Sequence, residues 1–314
     1  MARFYLGIDG GQSSTKALLA DETGKVIGRG RGGACNHVGT AEGRAKFLSA
    51  VGDCLRQAYH EAGLESDTRF AGVCLGLSGG SEDKEAYTRE LIASDHYKFT
   101  NDAEIALLGG TAGEPGIIII AGTGSIAFGR NARMKTARAG GWGYIFGDEG
   151  GGFDIARQAL RRALQYEEGW GTASVLHKVL LEVAGAASAN ALMHQLYNQF
   201  DRTAIARYAK LVSAAAETGD QVALEVLERA ANSLAGYVKG VYENLFSRGE
   251  VVPIVYVGGV FQSDLVRRYL KQNIEQTIAC PVEGPRFSPA AGAVLEALRL
   301  DGNSSPLAGL RPED

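Results

Sequence analysis

The chain contains the stretch Asp9-Gly10-Gly11-Gln12-Ser13-Ser14-Thr15 and, about one domain length later, the stretch Gly122-Thr123-Gly124-Ser125. Each directly follows an apolar run of β-forming residues. In a turn between strands, glycines allow backbone N–H groups to approach an anion, and hydroxyls add further donors. The pair of stretches therefore predicts a nucleotide whose phosphates are held from both sides. Neither stretch has the spacing of a P-loop or of a dinucleotide-binding loop. Taken singly, each is equally explained as an ordinary glycine turn.

The composition is that of an ordinary globular protein. The 314 residues, 45% hydrophobic and 22% charged, predict about two domains. The net charge is −4, and apart from Arg157, Arg161 and Arg162 no basic cluster occurs, so we expect no nucleic-acid partner. The longest aliphatic run, 117–121, is far below the roughly 20 residues that span a bilayer. The N-terminus shows no signal-type segment, so we expect no membrane association and a cytoplasmic location.

The cysteines do not form a metal-binding pattern. Cys35, Cys54, Cys74 and Cys280 are scattered without a Cys-x-x-Cys pair, and the histidines show no zinc-type spacing. We interpret the four thiols as reduced and buried, and we expect neither zinc nor an iron–sulfur cluster.

The order of apolar runs predicts an α/β fold in which one unit is duplicated. The first half is predicted as βββαβαβα, with strands at 3–8, 15–20, 25–30, 70–77 and 97–100 and helices at 41–62, 83–94 and from Asp102 onward. The second half repeats the start with strands at 116–121, 125–130 and 134–139. It ends with a strand at 252–257, a helix at 262–274, a strand at 280–283 and a helix at 289–300.

Between these parts of the second half, residues 151–248 are almost entirely helical in pattern. We therefore predict an N-terminal domain at 1–112 and a C-terminal domain at 113–314 that carries this helical insertion, with a hinge near residues 110–116. The last residues, 302–314, are predicted to be a loose tail.

Three aspartates are candidates for chemistry. Asp9 ends the first strand, where a carboxylate could hold Mg²⁺ through water or cap its own turn. Asp102 follows a strand and starts a helix, so it is equally explained as a helix N-cap. Asp148 lies in the glycine-dense segment 142–150, which has an aromatic side chain and paired carboxylates. That segment suits sugar binding, or a tight loop whose acids favour the dipole of the next helix.

These motifs resemble a known group of proteins. The two glycine-rich stretches and the later turn at 257–261 resemble the actin, sugar-kinase and Hsp70 ATPase superfamily, which has a duplicated ribonuclease H-like fold. More narrowly, Thr100-Asn101-Asp102-Ala103, Gly140-Gly141-Trp142-Gly143 and Gly147-Asp148-Glu149-Gly150 resemble the N-acetylglucosamine kinase branch of the BadF/BadG/BcrA/BcrD ATPase family. The resemblance covers about residues 5–298.

The resemblance implies transfer of phosphate from ATP, with Mg²⁺, to an amino sugar, above all N-acetylglucosamine at its 6-hydroxyl. It implies that Asp102 is the general base and that Asp9 holds Mg²⁺ through water. The implied ATP contacts are Gly10, Gly11, Ser13, Ser14, Thr123, Gly124, Ser125, Ala214, Gly258, Gly259 and Gln262. The implied sugar contacts are Asn36, His37, Asp102, Gly141, Trp142 and Asp148.

Other functions stay open at this point. Glucosamine or N-acetylmuramate could be the sugar, because a few side chains around the acyl group decide between them. A different class is the BadF-type ATPase activator of an electron-transfer enzyme, which holds an iron–sulfur cluster through cysteines that have no clustered counterpart here. A sugar-sensing regulator would need a DNA-binding domain. The sequence also leaves open whether the chain forms a homodimer.

Overall fold

The computed structural model describes residues 2–11, 13–35, 40–77, 82–312 and 314. The chain divides into two compact units. Unit 1 comprises Met1–Pro115 and Pro285–Asp314, and unit 2 comprises Gly116–Gly284. Each unit contains one five-stranded sheet. Within the described ranges, no helix is long and apolar enough to cross a bilayer.

Unit 1 begins with the predicted βββαβαβα order. Its strands are β1 (Phe4–Gly10), β2 (Thr15–Asp21), β3 (Val26–Gly32), β4 (Phe70–Leu77) and β5 (Ser94–Thr100). Its first helices are α1 (Thr40–Ala62), α2 (Glu82–Leu91) and α3 (Asp102–Gly110). The sheet order is β3-β2-β1-β4-β5, with β1, β2 and β3 antiparallel and β1, β4 and β5 parallel. The carboxyl ends of the three parallel strands therefore meet at one edge of the sheet.

Unit 2 repeats this topology. Its strands are β6 (Gly116–Ala121), β7 (Ser125–Arg130), β8 (Thr136–Gly140), β9 (Ile254–Val257) and β10 (Val282–Glu283). Their order, β8-β7-β6-β9-β10, and their directions match those of the first sheet. The predicted fold class, a duplicated actin-like α/β unit, is confirmed.

The helical insertion is also present. Between β8 and β9 lie α4 (Gly143–Phe146), α5 (Gly152–Glu167), α6 (Leu176–Ala184), α7 (Ala189–Asn198), α8 (Arg202–Ala206), α9 (Ala209–Glu217) and α10 (Gln221–Leu245). After β9, a 3₁₀ turn (Gly259–Gln262) leads into α11 (Asp264–Thr277). The long helix α10 packs on β6, β7 and β8, so it connects the insertion to the sheet of its own unit.

The last helix of the chain belongs to unit 1. α12 (Pro289–Leu300) lies on β1 and β4 and beside α3, and its small apolar residues are buried against side chains such as Tyr5 and Leu18. The predicted second domain, 113–314, differs from this division, since unit 2 ends at Gly284. The physical reason is that α12, which comes last in the second copy of the repeated unit, covers an apolar face of the sheet in unit 1.

The prediction of a loose tail was wrong. Ala308 donates its N–H to the Gly24 carbonyl at 3.0 Å and accepts from the Val26 N–H at 2.9 Å, which adds pairing at the start of β3. Leu307 and Leu310 pack against the core under α12. The Asp314 carboxylate accepts from Arg29 Nε at 2.8 Å. The tail is mostly polar in sequence, and for this reason the packing of Leu307 and Leu310 was not predicted.

Helix α1 lies directly on the backbone of β3. Gly28, Gly30 and Gly32 all point toward α1, and a Cβ atom at these positions would come within 2.3, 1.9 and 2.2 Å of carbonyl oxygens on successive turns of the helix. No larger residue fits at this distance. The alternating glycines in Val26-Ile27-Gly28-Arg29-Gly30-Arg31-Gly32 are the sequence signal of this contact.

We predict that Gly30→Ala lowers the free energy of unfolding by about 3 kcal/mol or more, because the new methyl group collides with the Cys54 carbonyl. The matched control is Gly52→Ala on α1, where the only described atom that the methyl group meets is the end of the Arg56 side chain, at 3.7 Å. That variant should gain up to about 1 kcal/mol from helix propensity. Urea unfolding measures both. Equal stability of Gly30→Ala and the parent protein would contradict the close contact.

Candidate active site

The first glycine-rich stretch forms the turn between β1 and β2. The Gly11 N–H donates to the Ser14 carbonyl at 3.0 Å and closes the turn. Gly10 has no room for a side chain, since a Cβ atom there would lie 2.5 Å from Leu77 and 2.7 Å from the Cys35 sulfur. Ser13 and Ser14 are exposed. The four residues predicted to bind phosphate in this half thus share one turn, with two hydroxyls accessible to a ligand.

Asp9 lies at the end of β1, directly before this turn. In the antiparallel pairing it stands opposite Lys16 of β2. The pKa of the Asp9 carboxyl is raised from its ordinary 3.8 to about 6, first because the group is buried and second because the charge of Asp102 opposes its ionisation. The charge of Lys16 acts in the opposite direction. Unit 1 therefore places two carboxylates in one electrostatic environment at the carboxyl edge of its sheet.

Asp102 is the first residue of α3, and the helix is capped by its neighbour. The Asn101 side chain accepts from the Glu104 N–H at 2.8 Å, which is the N-cap hydrogen bond. Asp102 is exposed, and one of its carboxylate oxygens accepts from the Ala103 N–H at 2.9 Å. Of the two explanations for Asp102, the N-cap explanation is therefore wrong, because Asn101 fills that position.

Two buried carboxylates, Glu104 in the first turn of α3 and Glu296 of α12, pair with cations that are only partly buried or exposed. Lys98 on β5 donates to Glu104 of α3 and to Glu296 of α12, each at 2.7 Å. Arg299 donates to both oxygens of Glu296, at 2.6 and 2.9 Å. Thr100 donates to the second oxygen of Glu104 at 2.5 Å. These contacts tie the first turn of α3 to β5 and to α12, and sequence reasoning missed them because α12 comes from the far end of the chain.

The second glycine-rich stretch joins β6 to β7. It is fastened to the start of α5, because the Gly152 N–H donates to the Gly122 carbonyl at 2.8 Å and the Phe153 N–H donates to the Thr123 carbonyl at 3.0 Å. The Ser125 hydroxyl donates to the Glu149 carbonyl at 2.7 Å. The contact of Ser125 with phosphate therefore stays a prediction, and the structure gives its hydroxyl a partner within the unit.

A cavity of about 370 Å³ opens beside this stretch in unit 2. Four of the predicted ATP contacts line it, namely Thr123, Ala214, Gly259 and Gln262. Sequence reasoning missed further polar lining residues: Arg207, Lys210, Ser213, Glu217 and Ser263. Three of them, together with Ala214, lie on α9 at helical spacing, so one face of this helix forms a wall. The spacing of these residues in the sequence could have indicated that they share one face of α9, but not that this face lines a cavity.

The turn after β9 fits closely against the end of β6. Gly258 has φ +120°, and a Cβ atom there would lie 2.3 Å from the Ala121 carbonyl oxygen. A side chain is therefore excluded both by conformation and by space. A Cβ atom on Gly259 would meet none of the described residues within 4 Å, and Gly259 lines the cavity. The first glycine sets the packing and the second leaves space for a ligand.

Asp148 lies against the second glycine-rich stretch. It is buried, with the unusual φ of +63° for an aspartate, and a Cβ atom on Gly124 would touch its carboxylate at 2.3 Å. Its oxygens make long contacts with the Ser125 N–H, at 3.4 Å, and with the Arg202 guanidinium, at 3.5 Å. Aspartate adopts this left-handed conformation more readily than most residues, and these contacts hold the Asp148 carboxylate beside Gly124.

The other residues predicted to bind sugar divide into two groups. The Gly141 N–H donates to the Ser125 carbonyl at 2.9 Å, and Trp142, 64% exposed, lies under the Arg138 guanidinium at 4.6 Å. Gly141 therefore adjoins the second glycine-rich stretch, as Asp148 does. Asn36 and His37 lie outside the described residues. The sugar contacts of all five stay predictions.

The described part of the chain contains no group of three or more His, Cys, Asp or Glu side chains that could hold a metal ion. All four cysteines are buried and unbonded to one another. Burial raises the pKa of the Cys54 thiol to about 12, which keeps it protonated and unsuited to bind a metal. A single carboxylate such as Asp9 is nevertheless enough for Mg²⁺, which takes its other ligands from water and substrate phosphates.

One α/β unit in two copies, each with a glycine-rich turn between its first two strands, is the architecture of an actin-like ATPase fold. The family model described as the BadF/BadG/BcrA/BcrD ATPase family matches residues 6–297, so the chain belongs to that family. The predicted resemblance is confirmed.

Among curated proteins, an N-acetylmuramic acid/N-acetylglucosamine kinase from Clostridium acetobutylicum is 32% identical over 290 residues, covering 86% of this chain and 91% of the relative. An N-acetyl-D-glucosamine kinase from Dictyostelium discoideum is 29% identical, covering 94% and 97%. Among solved structures, a candidate N-acetylglucosamine kinase from Chromobacterium violaceum is 28% identical with a TM-score of 0.71, covering 93% of this chain and 98% of that one.

We predict that Asp9→Asn stabilises the ligand-free protein at pH 7.5 by roughly 2 kcal/mol. The pKa of Asp9 in the folded protein, about 6, lies above the ordinary 3.8, so folding opposes ionisation of this carboxyl. The contribution of Asp9 to the free energy of unfolding therefore falls as the pH rises from 3.8 through 6. The gain from the substitution should therefore be full above pH 6 and shrink toward pH 3.8. Urea unfolding at pH 7.5 and 4.5 measures it. An equal effect at both pH values would contradict the raised pKa.

Proposed function

We propose that this protein is an ATP-dependent amino-sugar kinase that transfers the γ-phosphoryl group to the 6-hydroxyl of N-acetylglucosamine. The observation that carries the proposal is the accessible carboxylate of Asp102, released from helix capping by Asn101 and set in one electrostatic environment with Asp9. The family and the names of the curated relatives support it.

The proposed chemistry divides between the two units. In unit 1, Asp102 accepts the proton of the attacking sugar hydroxyl, which requires a positioned carboxylate and contributes about 10²- to 10⁴-fold to the rate. The turn with Gly10, Gly11 and the two exposed serines donates to phosphate oxygens. In unit 2, Thr123 and Gly124 do the same, and the cavity holds adenosine.

Mg²⁺ would be held by Asp9 through water, and when bound it supplies positive charge to the phosphates. The raised pKa of Asp9 fits this role, because a nearby cation would relieve the unfavourable burial of the ionised carboxylate. In this proposal, the burial of the ionised Asp9 carboxylate destabilises the protein as long as no Mg²⁺ is bound.

The sugar is proposed to contact Gly141, Trp142 and Asp148, with Asn36 and His37. The exposed Trp142 ring offers an apolar face, and a carboxylate such as Asp148 accepts hydrogen bonds from hydroxyls. One relative is named for N-acetylmuramic acid as well as N-acetylglucosamine, so the acyl-substituted hexosamines as a class are the proposed substrates.

We predict that the purified protein releases ADP from ATP when N-acetylglucosamine is added, and that Asp102→Asn lowers kcat by about 10²- to 10⁴-fold with little change in sugar or nucleotide affinity. The substitution removes the base and leaves the fold. A coupled ADP-release assay over N-acetylglucosamine, N-acetylmuramic acid and glucosamine measures turnover, and NMR of the product identifies the phosphorylated oxygen.

Asp95→Asn serves as the control, because Asp95 is an exposed carboxylate on β5 that pairs only with the exposed Arg69 among the described residues. It should turn over normally. Near-normal kcat in Asp102→Asn would remove Asp102 from the role of base. ATP hydrolysis that no amino sugar stimulates, with stoichiometric iron in an anaerobic preparation, would instead support an electron-transfer activator.

A further inference from the structure

Arg202, the first residue of α8, lies beside the buried carboxylate of Asp148. Its Nη1 atom is 3.5 Å from Asp148 Oδ2, and its guanidinium lies 5.7 Å from the centre of the Tyr144 ring. The contact with Asp148 is long, because a close ion pair has an N–O distance of about 2.7–2.9 Å. Among the described residues, it is the only hydrogen bond or ion pair of the Arg202 side chain.

Both partners keep capacity for further hydrogen bonds. The Nε and Nη2 atoms of Arg202 have no partner among the described residues, and neither is buried, so both are accessible to a ligand. These two nitrogens form one edge of the planar guanidinium fork. Apart from Arg202, the Asp148 carboxylate accepts only the long hydrogen bond of 3.4 Å from the Ser125 N–H in the described part of the chain. A carboxylate accepts about four hydrogen bonds, so Asp148 can take others.

Arg202 contacts the segment proposed to bind the sugar and not the cavity proposed for the nucleotide. The next residue, Thr203, lines the 370 Å³ cavity together with two cationic side chains, and Arg202 is not part of that lining. Asp148 and Tyr144, which Arg202 does contact, both lie in the glycine-dense segment 142–150. Since the cavity has cations of its own for phosphates, we assign Arg202 to the other substrate.

The chemistry of a guanidinium indicates which group of a sugar it would bind. A neutral hydroxyl needs only a single donor or acceptor, whereas the guanidinium fork matches a carboxylate through two parallel hydrogen bonds. Asp148 repels a second carboxylate, so such a group would approach Arg202 at the Nε and Nη2 edge, away from the Nη1 atom that contacts Asp148. The pair therefore suits a ligand with a hydroxyl for Asp148 and a carboxylate for Arg202.

We propose that Arg202 is a specificity-determining residue that binds a carboxylate substituent of the amino sugar. This inference rests on the proposed function, since it assigns a residue to the sugar site of that kinase. Nε and Nη2 of Arg202 donate to the carboxylate, while Asp148 accepts from a sugar hydroxyl. An acidic amino sugar is then favoured over a neutral one of the same shape. N-acetylmuramic acid, which is N-acetylglucosamine with a lactic acid ether, is the probe, and its neutral amide is the matched ligand.

The test measures affinities by calorimetry for N-acetylmuramic acid, its amide and N-acetylglucosamine. The parent protein should bind the acid about 10-fold or more tightly than the amide, because hydrogen bonds to charged groups are stronger than those to neutral ones. In Arg202→Gln, affinity for the acid should fall about 10- to 100-fold. Affinities for the amide and for N-acetylglucosamine should change less than about 3-fold, since neither has the carboxylate.

Arg161→Gln is the control, because Arg161 is an exposed arginine on α5 of the same unit and its loss changes the net charge equally. It should leave all three affinities unchanged. An equal loss of all three affinities in Arg202→Gln would overturn the inference, since that indicates hydroxyl binding or positioning of Asp148. A loss of ADP affinity would also overturn it, because the guanidinium would then serve phosphate.

The comparison of acid and amide needs only the parent protein, so it tests the inference even if Arg202→Gln does not fold. Equal binding of the two by a parent protein that phosphorylates N-acetylglucosamine would overturn the inference and leave the kinase proposal standing. If the parent protein neither binds nor phosphorylates any of the three sugars, the proposed function fails as well.

Discussion

The structure of unit 1 depends on direct contact between helix and strand backbones. α12 lies on Gly7 of β1 and Gly72 of β4, where a Cβ atom would come within 2.4 and 2.2 Å of its backbone. α3 and α12 meet in the same way, since a Cβ atom at Gly292 would lie 2.1 Å from the Ile105 carbonyl oxygen. With side chains absent at these points, the helices pack nearer to the sheet than ordinary side chains allow.

This close packing positions the chemistry of the site. α3 begins with Asp102, and its position is set on one side by glycine contact with α12 and on another by the ion pairs that Lys98 makes with Glu104 and Glu296. A carboxylate acting as a base must be held to a fraction of an ångström. In the proposed function Asp102 is such a base, and its place is set by the buried carboxylates of Glu104 and Glu296 and by its own hydrogen bond from the Ala103 N–H.

Sequence patterns predicted the parts of the fold that local structure determines. The strands at 70–77, 116–121 and 125–130 agree with β4, β6 and β7, because apolar β-forming residues bounded by turns specify them locally. The position of α12 and of the tail could not be predicted, since it depends on which sheet offers an uncovered apolar face.

In the candidate site, too, the sequence predicted the features that local structure determines and missed those that depend on the folded structure. The glycine-rich turns were predicted, and Thr123, Ala214, Gly259 and Gln262 do share a cavity. The sequence could not distinguish Asp102 from Asn101 as the cap, because both residue types cap helices well and only the backbone geometry decides. Ser263 was missed for the related reason that a serine before a helix is ordinarily explained by capping.

The return of α12 to the first sheet also bears on biosynthesis. Residues 285–314 leave the ribosome after the rest of both units, so until then Tyr5, Leu18 and Val26 of the early strands lack the cover that α12 and the tail supply. Unit 1 is thus a domain of high contact order that closes only after the intervening unit has been made, and a nascent chain exposes that face throughout synthesis.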